Sequence, residues 1–287
     1  MFRLANLDHR AVLVDDQRWY DLAGLTGDDT LFDPMVAAAR FEELHDAYEQ
    51  RLDAEPGGNL DDGATFGPCM PRPQKVFAIG LNYRSHAAES NLELPQAPVV
   101  FTKFPNCLAG PTADIELGGD TVDWEVELVA VVGRGGRRIE EARAWDHVAG
   151  LCLGQDISDR TVQLTGNPAQ FSMGKSFDTY GPIGPAVVSV DAFDTPDDIG
   201  LWCEVSGERM QDARTSDLIF SVPELVAYLS SICTLASGDL IFTGTPAGVG
   251  GPRGRFLRDG DVVESGAEVV GGLRNRCVLT AHDDGGA

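Results

Sequence analysis

The sequence predicts a mainly β protein with some α-helix, and two features carry this prediction. Short runs rich in Val, Ile, Phe and Trp recur along the chain, and turns rich in glycine and proline separate them. Helix-start signals are rare by comparison. The clearest is the capping box of Ser221 and Glu224, with Pro223 in the first turn before the apolar run 225–229.

The first seventy residues are predicted to form a small α+β domain. Strand-like runs lie on both sides of an Asp-Asp turn, and residues 35–52 have a helical pattern. A polar, glycine-rich stretch begins at Glu55, and prolines crowd residues 68–73. We therefore predict an N-terminal domain at 1–70 and a main domain at 71–287.

The main domain is predicted to consist mostly of short strands. Each is a run of β-branched or aromatic residues bounded by glycine, proline or acidic residues. They cover residues 75–79, 99–103, 124–132, 148–156, 201–206, 239–243 and 276–281. The capping-box helix falls between the fifth and sixth of these strands, so we expect a β-rich domain with few helices.

Composition narrows the classes of function. With 287 residues the chain can bury a large core without disulfides. The net charge of −23 at pH 7 disfavours phosphate backbones and anionic membrane surfaces, so no nucleic acid and no membrane partner is expected. The N-terminus has no continuous apolar stretch, and the six cysteines are dispersed without a C-x-x-C pair. These observations predict a cytoplasmic protein with free thiols.

Three carboxylates are the candidate metal ligands. Glu125 and Glu127 lie two residues apart in a predicted strand, so their side chains should point the same way, and Asp156 ends the next predicted strand. Adjacent carboxylates beside an apolar surface repel each other unless one is protonated or both bind a cation. All-oxygen ligation favours Mg²⁺, Mn²⁺ or Ca²⁺ over zinc. The alternative is an edge strand whose glutamates face water.

A second group of residues has the pattern of an acid–base site. His86 and Glu89 are three residues apart, so on a helix they would share a face, and Glu89 could orient His86 as a general base. Lys175 stands among glycine and apolar residues, where its charge could stabilise an anionic substrate or an enolate. The alternatives are a surface His–Glu pair and an ordinary lysine.

Eight short motifs follow one another in residues 71–278. They are Gly80-Leu81-Asn82-Tyr83, Phe101-Thr102-Lys103, Asp123-Trp124-Glu125-Val126-Glu127-Leu128, Gln155-Asp156-Ile157-Ser158, Gly174-Lys175-Ser176-Phe177-Asp178, Gly181-Pro182-Ile183-Gly184-Pro185, Gly238-Asp239-Leu240-Ile241 and Thr243-Gly244-Thr245-Pro246. Each motif alone is weak, but in this order they resemble the fumarylacetoacetate hydrolase family. The resemblance favours the metal-site and acid–base interpretations over their alternatives.

The resemblance implies a mixed β-sandwich roll with a small N-terminal domain, usually in a homodimer. It also implies that a divalent cation, Mg²⁺ or Mn²⁺, is held by the two glutamates of the E-x-E motif and the later aspartate. In this sequence those residues are Glu125, Glu127 and Asp156.

The resemblance further implies catalytic roles for His86 and Glu89, on a segment that closes over substrate, and for Lys175. The substrate contacts it implies are Tyr83, Arg160, Gln163 and Thr245. Many relatives have Ser-x-Arg-Asp-x-Gln after the metal-binding aspartate. This chain keeps the arginine and the glutamine of that motif but has Thr161 in place of the aspartate that follows the arginine.

The implied reaction is metal-dependent hydrolysis of a carbon–carbon bond in a 2,4-diketo acid of the acylpyruvate type. His86, supported by Glu89, would deprotonate the water that attacks C4, and the cation and Lys175 would stabilise the pyruvate enolate that leaves. The alternative is a decarboxylase or isomerase of oxaloacetate-like or unsaturated 2-oxo-diacids, which needs the same enolate. A protein that binds a metabolite without turnover is disfavoured, because the expected site residues are all present.

Overall fold

The chain folds mainly into short strands. The computed structural model describes residues 1–60, 63 and 65–279. The strands of these residues are β1 (Arg3–Leu7), β2 (Arg10–Asp15), β3 (Arg18–Asp21), β4 (Gly58–Asn59), β5 (Val76–Gly80), β6 (Val99–Thr102), β7 (Leu108–Ala109), β8 (Ile115–Leu117), β9 (Val122–Asp123), β10 (Val126–Val132), β11 (Val148–Gln155), β12 (Ser158–Asp159), β13 (Gly181–Val188), β14 (Gly200–Val205), β15 (Glu208–Arg214), β16 (Leu240–Phe242), β17 (Val262–Ala267) and β18 (Gly271–Leu279). The prediction of a mainly β protein is confirmed.

The strands form two main sheets. Within the described residues the larger sheet has eleven strands: ten follow the order β4-β3-β2-β1-β13-β11-β10-β16-β5-β6, and β7 pairs with β13. It is a mixed sheet, because β16 and β5 run parallel whereas β10 and β11 run antiparallel. The smaller sheet has the order β15-β14-β17-β18-β8, and β9 pairs with β12.

The helices are short and lie between strands. The α-helices are α1 (Leu22–Thr26), α2 (Pro34–Ala39), α3 (Glu43–Gln50), α4 (Arg84–Glu89), α5 (Arg160–Gln163), α6 (Val222–Ile232) and α7 (Gly250–Arg253). Short 3₁₀ segments lie at Asp29–Phe32, Arg51–Asp53, Pro105–Cys107, Glu141–His147, Met173–Lys175, Val190–Ala192 and Thr215–Asp217. The predicted capping box is confirmed at α6, where Ser221 and Glu224 cap each other. In the described part of the chain, no helix has the length and apolar character needed to cross a membrane.

Strand β10 is buried on both faces and separates two apolar cores. Leu128 and Ala130 belong to the core that the smaller sheet covers, whereas Val129 and Val131 belong to the core on the other face of the large sheet. A strand with two buried faces has a nearly continuous apolar sequence. This position excludes the edge-strand alternative, because Glu127 is only 1% exposed.

Most predicted strands of the main domain are present with their ends displaced by one or two residues. At the C-terminus, β18 begins at Gly271 rather than at residue 276, and the predicted end at 280–281 lies outside the described residues. The single helix predicted at 35–52 is wrong. The chain leaves helical geometry at Arg40, whose guanidinium pairs with Asp28 and Glu43, and it resumes as α3.

The N-terminal strands extend the large sheet, because β1 pairs antiparallel with β13. Leu44 of α3 also packs in the same apolar core as Val76 of β5. The predicted boundary at residue 70 therefore falls within a shared sheet and a shared core. The division into 1–70 and 71–287 stays a prediction, and residues 61, 62, 64 and 280–287 of these ranges lie outside the described part.

Candidate active site

Three buried carboxylates converge beside the adjoining ends of β10 and β11. One oxygen each of Glu125, Glu127 and Asp156 lies within 4.8 Å of the others. Their side chains are almost closed to solvent, with exposed fractions of 5%, 1% and 0% for these three residues. The structure thus brings the three predicted metal ligands together, and we call them the carboxylate triad.

Glu125 reaches the triad although β10 begins one residue later, at Val126. The amide N–H of Glu125 donates to Oε1 of Gln155 at 2.9 Å, and its carbonyl accepts from the N–H of Asp156 at 2.9 Å. The prediction that Glu125 and Glu127 share one strand is therefore wrong. The carboxylates still converge, because the Gln155 side chain replaces a ladder hydrogen bond and carries the extended backbone past the strand end.

Two buried lysines contact the triad. Lys175 Nζ donates to Glu125 Oε2 at 2.7 Å and to Asp156 Oδ2 at 2.6 Å. Lys103 Nζ donates to Asp156 Oδ1 at 2.7 Å, to the Tyr180 carbonyl at 3.0 Å and to the Lys175 carbonyl. An ammonium has three N–H donors, so these contacts use all the donors of Lys103. Among the described residues, the two contacts of Lys175 leave one donor for a ligand.

Arg160 and Asp123 extend the cluster of charges. Arg160 Nε donates to Asp123 Oδ2 at 2.8 Å, and its Nη1 lies 2.7 Å from Glu125 Oε1. Asp123 also accepts from the backbone N–H groups of Gly250 at 2.7 Å and Gly251 at 2.9 Å. Asp123 therefore fixes Arg160 against the triad and ties α7 to the same place.

The charges of this cluster nearly balance. Within the described residues, four carboxylates (Asp123, Glu125, Glu127 and Asp156) face three cations (Lys103, Arg160 and Lys175), which leaves one negative charge in excess. Burial alone would raise the pKa of Glu125, but Lys175 and Arg160 outweigh it and lower that pKa to about 2. Burial, with Asp156 and Glu125, raises the pKa of Glu127 well above its usual value. Glu127 is thus harder to ionise than Glu125.

The donor set fits a hard divalent cation. All the ligand atoms of the triad are oxygens, as Mg²⁺ and Mn²⁺ prefer, and the sulfur or imidazole donors typical of zinc sites are not part of it. Lys175 already places a positive charge between two of the carboxylates. A cation bound by the triad would therefore take up a position next to the Lys175 ammonium.

The loop after β16 supports both the triad and the cavity beside it. Gly244 has a φ of +103° and donates its N–H to Glu127 Oε2 at 2.7 Å. A Cβ atom at Gly244 would lie 2.8 Å from Asn82 Cβ, so glycine is needed for the conformation and for the close approach. The next residue, Thr245, donates its hydroxyl to the Val126 carbonyl at 2.9 Å.

His86 and Glu89 lie together on α4, as predicted. Their Nδ1 and Oε2 atoms are 3.6 Å apart, which is longer than a hydrogen bond. The Glu89 carboxylate instead accepts from the N–H of Gly248 at 3.1 Å, and the buried Nδ1 of His86 has no hydrogen-bond partner. The two side chains therefore lie close together without a hydrogen bond between them.

A cavity of about 160 Å³ brings most of the predicted site residues to one place. Its polar lining consists of His86, Glu125, Arg160, Gln163, Lys175 and Thr245. Its apolar lining consists of Ile79, Gly80, Leu81, Leu92, Phe101 and Phe171. A more open depression of about 690 Å³ crosses the smaller sheet near Trp202, but none of the predicted site residues lines it. We therefore place the candidate active site at the smaller cavity.

Tyr83 is the predicted substrate contact that the structure separates from the cavity. Its side chain is fully buried, its hydroxyl has no hydrogen-bond partner, and it is not among the cavity-lining residues. Burial raises its pKa, and the nearby Glu127 and Asp217 raise it further. Its role as a substrate contact stays a prediction.

The structure also places two charged residues at the candidate site that were not predicted as site residues, Lys103 and Asp123. Lys103 stands in a Phe-Thr-Lys motif at the end of a predicted strand, and Asp123 lies two residues before the first glutamate of the E-x-E run. Both stand in motifs that carry the family resemblance, but neither was given a role in the site. Neither position reveals, without the fold, that its partner lies tens of residues away.

Replacement of Lys103 by Met should lower the free energy of unfolding by about 3–5 kcal/mol, because it leaves the buried Asp156 with less compensation. Mn²⁺ should then stabilise this variant more than it stabilises the wild type, since the cation supplies the missing charge. Lys75→Met is the matched control, because Lys75 pairs with the buried Asp239 at 2.8 Å, outside the triad. Denaturant titrations with and without Mn²⁺ measure both effects. Equal stabilisation of the two variants by Mn²⁺ would contradict the assignment.

Metal binding should also release protons. The pKa of Glu127 is raised, so its carboxyl group holds a proton at pH values where an exposed glutamate is ionised. A bound cation requires the carboxylate, so the proton must leave and the affinity must rise with pH. Calorimetric titration of Mn²⁺ in two buffers of different ionisation enthalpy counts the released protons. Glu116→Gln, at an exposed position, should leave the count unchanged, and the absence of proton release in the wild type would refute this expectation.

Comparisons with known proteins identify relatives of this chain. The family model described as fumarylacetoacetate (FAA) hydrolase C-terminal matches residues 75–278. A fumarylacetoacetate hydrolase domain-containing protein 2 homolog of Dictyostelium discoideum is 41% identical over 216 residues, which cover 71% of each chain.

Two solved structures place the fold in the same family. The maleylpyruvate hydrolase of Sphingobium sp. SYK-6, in complex with manganese(II) and pyruvate, is 28% identical with a TM-score of 0.82, over 97% of this chain and 100% of its own. The 5-carboxymethyl-2-hydroxymuconate delta-isomerase of Mycobacterium smegmatis is 29% identical with a TM-score of 0.76, over 97% of this chain and 99% of its own. The predicted mixed β-sandwich roll is confirmed by these likenesses. The chain belongs to the fumarylacetoacetate hydrolase family of enzymes.

Proposed function

We propose that this protein is a Mg²⁺- or Mn²⁺-dependent hydrolase that cleaves the C3–C4 bond of a 2,4-diketo acid of the acylpyruvate type. The products would be pyruvate and a carboxylic acid. The observation that carries the proposal is the meeting of Glu125 of the carboxylate triad, Lys175 and His86 around one small cavity. The proposal includes a homodimer, which rests on the family resemblance alone.

Glu125, Glu127 and Asp156 would hold the cation. When bound, a divalent cation supplies Lewis-acid polarisation of the substrate's 2-oxo group. It also changes the formal charge of the surrounding cluster: with all four carboxyl groups ionised, the excess is one negative charge without metal and one positive charge with it. The loaded cluster therefore attracts the carboxylate of a 2-oxo acid, although the protein as a whole is acidic.

Lys175 would stabilise the negative charge that develops when the C3–C4 bond breaks. Burial alone would lower its pKa, but Asp156 and Glu125 outweigh burial and raise that pKa, so the ammonium stays charged. Two of its donors are held by these carboxylates, and the third is available to an oxygen in the cavity. A preorganised charge of this kind requires no reorganisation during the reaction.

His86 would act as the general base. Its side chain lines the cavity, where the imidazole would take a proton from water, while its buried Nδ1 faces Glu89. The hydroxide then adds to C4, and the C3–C4 bond breaks with its electron pair left on C3. The proton taken up by His86 is then available to protonate C3, which gives pyruvate and the carboxylic acid. Glu89, anchored by the Gly248 amide, would stabilise the charged imidazole once the 3.6 Å gap closes.

A decarboxylase or isomerase is the second candidate. The open gap between His86 and Glu89 favours it, because a site that only stabilises an enolate needs no activated water. The similar isomerase of Mycobacterium smegmatis is a second point in its favour. Both candidates depend on the triad and Lys175, and they differ in what they require of His86.

The proposed function is tested directly by product analysis. The purified protein with Mg²⁺ or Mn²⁺ is incubated with acylpyruvates, oxaloacetate and unsaturated 2-oxo-diacids, and the products are identified by mass spectrometry. We expect pyruvate and the matching carboxylic acid from the acylpyruvates, and no product from Glu125→Ala, which loses a triad member. Turnover of the other two classes without any acylpyruvate cleavage would replace the proposal with the second candidate.

The ratio of two activities separates the candidates at His86. His86→Ala should lower acylpyruvate cleavage by about 10²–10⁴, the usual contribution of a general base. Decarboxylation of oxaloacetate needs no hydroxide, so any such activity should fall much less. Lys175→Met should impair both reactions, because both develop enolate charge. Equal losses of both activities in His86→Ala would instead indicate a role in closing or positioning.

A further inference from the structure

The part of the cavity that would receive the acyl group is apolar. The basic side chains that line the cavity already pair with carboxylates of the protein. We infer that, within the proposed function on which this inference rests, the protein selects acylpyruvates with an uncharged alkyl or aromatic acyl group and discriminates against 2-oxo-dicarboxylates. The support comes from the contacts of the basic side chains that line the cavity and from the construction of its apolar wall.

Arg160 has little capacity to bind a second carboxylate. Its Nε and Nη2 both contact Asp123, at 2.8 and 2.7 Å, so the edge that would form a bidentate pair is occupied. Its Nη1 contacts Glu125 at 2.7 Å and donates to Gln163 at 2.9 Å. Four of the five guanidinium donors are thus committed.

Among the described residues that line the cavity, the only other basic side chain besides His86 is Lys175. Its single remaining donor serves the 2-oxo acid end, because its ammonium lies between Glu125 and Asp156 of the triad. His86 faces the Glu89 carboxylate at 3.6 Å, which adds negative charge on that side of the cavity. A second substrate carboxylate would therefore be buried without a partner, which is costly.

The wall beyond Lys175 is built from aromatic rings. Lys175 Nζ lies 5.0 Å from the centre of the Phe101 ring, and Phe101 packs edge-on against Phe171 with 5.8 Å between ring centres. The two aromatic segments are joined by a hydrogen bond from the N–H of Thr102 to Ser172 Oγ at 3.3 Å. An apolar acyl group would replace water on this wall at a gain of about 25 cal/mol per Å² buried.

Leu92 completes the apolar wall at the cavity mouth. The segment after α4 folds back so that the N–H of Leu92 donates to the Ala87 carbonyl at 3.0 Å. Leu92 lines the cavity and is nevertheless 52% exposed, so a substitution there leaves the core intact. Leu94, 53% exposed on the same segment, does not line the cavity and gives a matched control.

The experiment measures binding, so its result does not depend on hydrolysis. The Mn²⁺-loaded protein is titrated calorimetrically with 2-oxohexanoate and with 2-oxoadipate, which differ by a terminal methyl or carboxylate and lack the 4-oxo group needed for cleavage. We expect the wild type to bind 2-oxohexanoate at least about tenfold more tightly. Leu92→Arg should shift the ratio by about tenfold toward 2-oxoadipate, and Leu94→Arg should leave it unchanged.

Each outcome is informative. Tighter binding of 2-oxoadipate by the wild type would overturn the inference while leaving the proposed hydrolysis intact. The expected binding ratio with no pyruvate formed from any acylpyruvate would overturn the proposed hydrolysis and support the inference. An equal change of the ratio in Leu92→Arg and Leu94→Arg would overturn the placement of the acyl group beside Leu92.

Discussion

The sharing of Asp156 between two buried lysines is the interaction on which the rest of the site depends. A buried carboxylate costs several kcal/mol unless charges and hydrogen bonds compensate it. Lys103 and Lys175 each take one of its oxygens, and Lys103 also binds the carbonyls of Tyr180 and Lys175. These contacts fix the end of β6, the 173–175 turn and the end of β11 relative to one another. Stability and site geometry therefore have the same origin.

A residue with strained backbone, Leu81, also lines the cavity. Leu81 has a φ of +53°, which is unfavourable for a residue with a side chain. The next residue, Asn82, holds this conformation in place, because its side chain donates to the Thr243 and Phe220 carbonyls and accepts from the Phe220 N–H. Leu81 is thus presented to the cavity by a rigid support, and a hydrophobic side chain is retained where glycine would relieve the strain.

Sequence patterns predicted the elements that have local signals. They did not predict the elements and site residues that depend on contacts between distant segments. The α6 capping box and the apolar run of β10 are local patterns, and both were found correctly. Strand β13 was not predicted, because Pro182 and Pro185 argue against a strand, although its pairing with β1 and β11 makes it central. Lys103 and Asp123 were missed for the same reason, since their partners are defined only by the fold. The triad itself was predicted, but the bonds that hold Glu125 beyond the end of β10 were not.

The strong acidity of the chain is compatible with an anionic substrate, because the net charge of the protein and the local charge of the site act over different distances. The net charge of −23 is spread over the whole chain, and at physiological ionic strength its field is screened beyond about 8 Å. Charges inside a buried cavity are screened much less, so the local excess of the metal-loaded cluster dominates once the substrate has entered. A small positive excess in a largely enclosed cavity can therefore outweigh many exposed carboxylates. The same reasoning explains why one unpaired substrate carboxylate, placed against the aromatic wall, would decide which substrates are accepted.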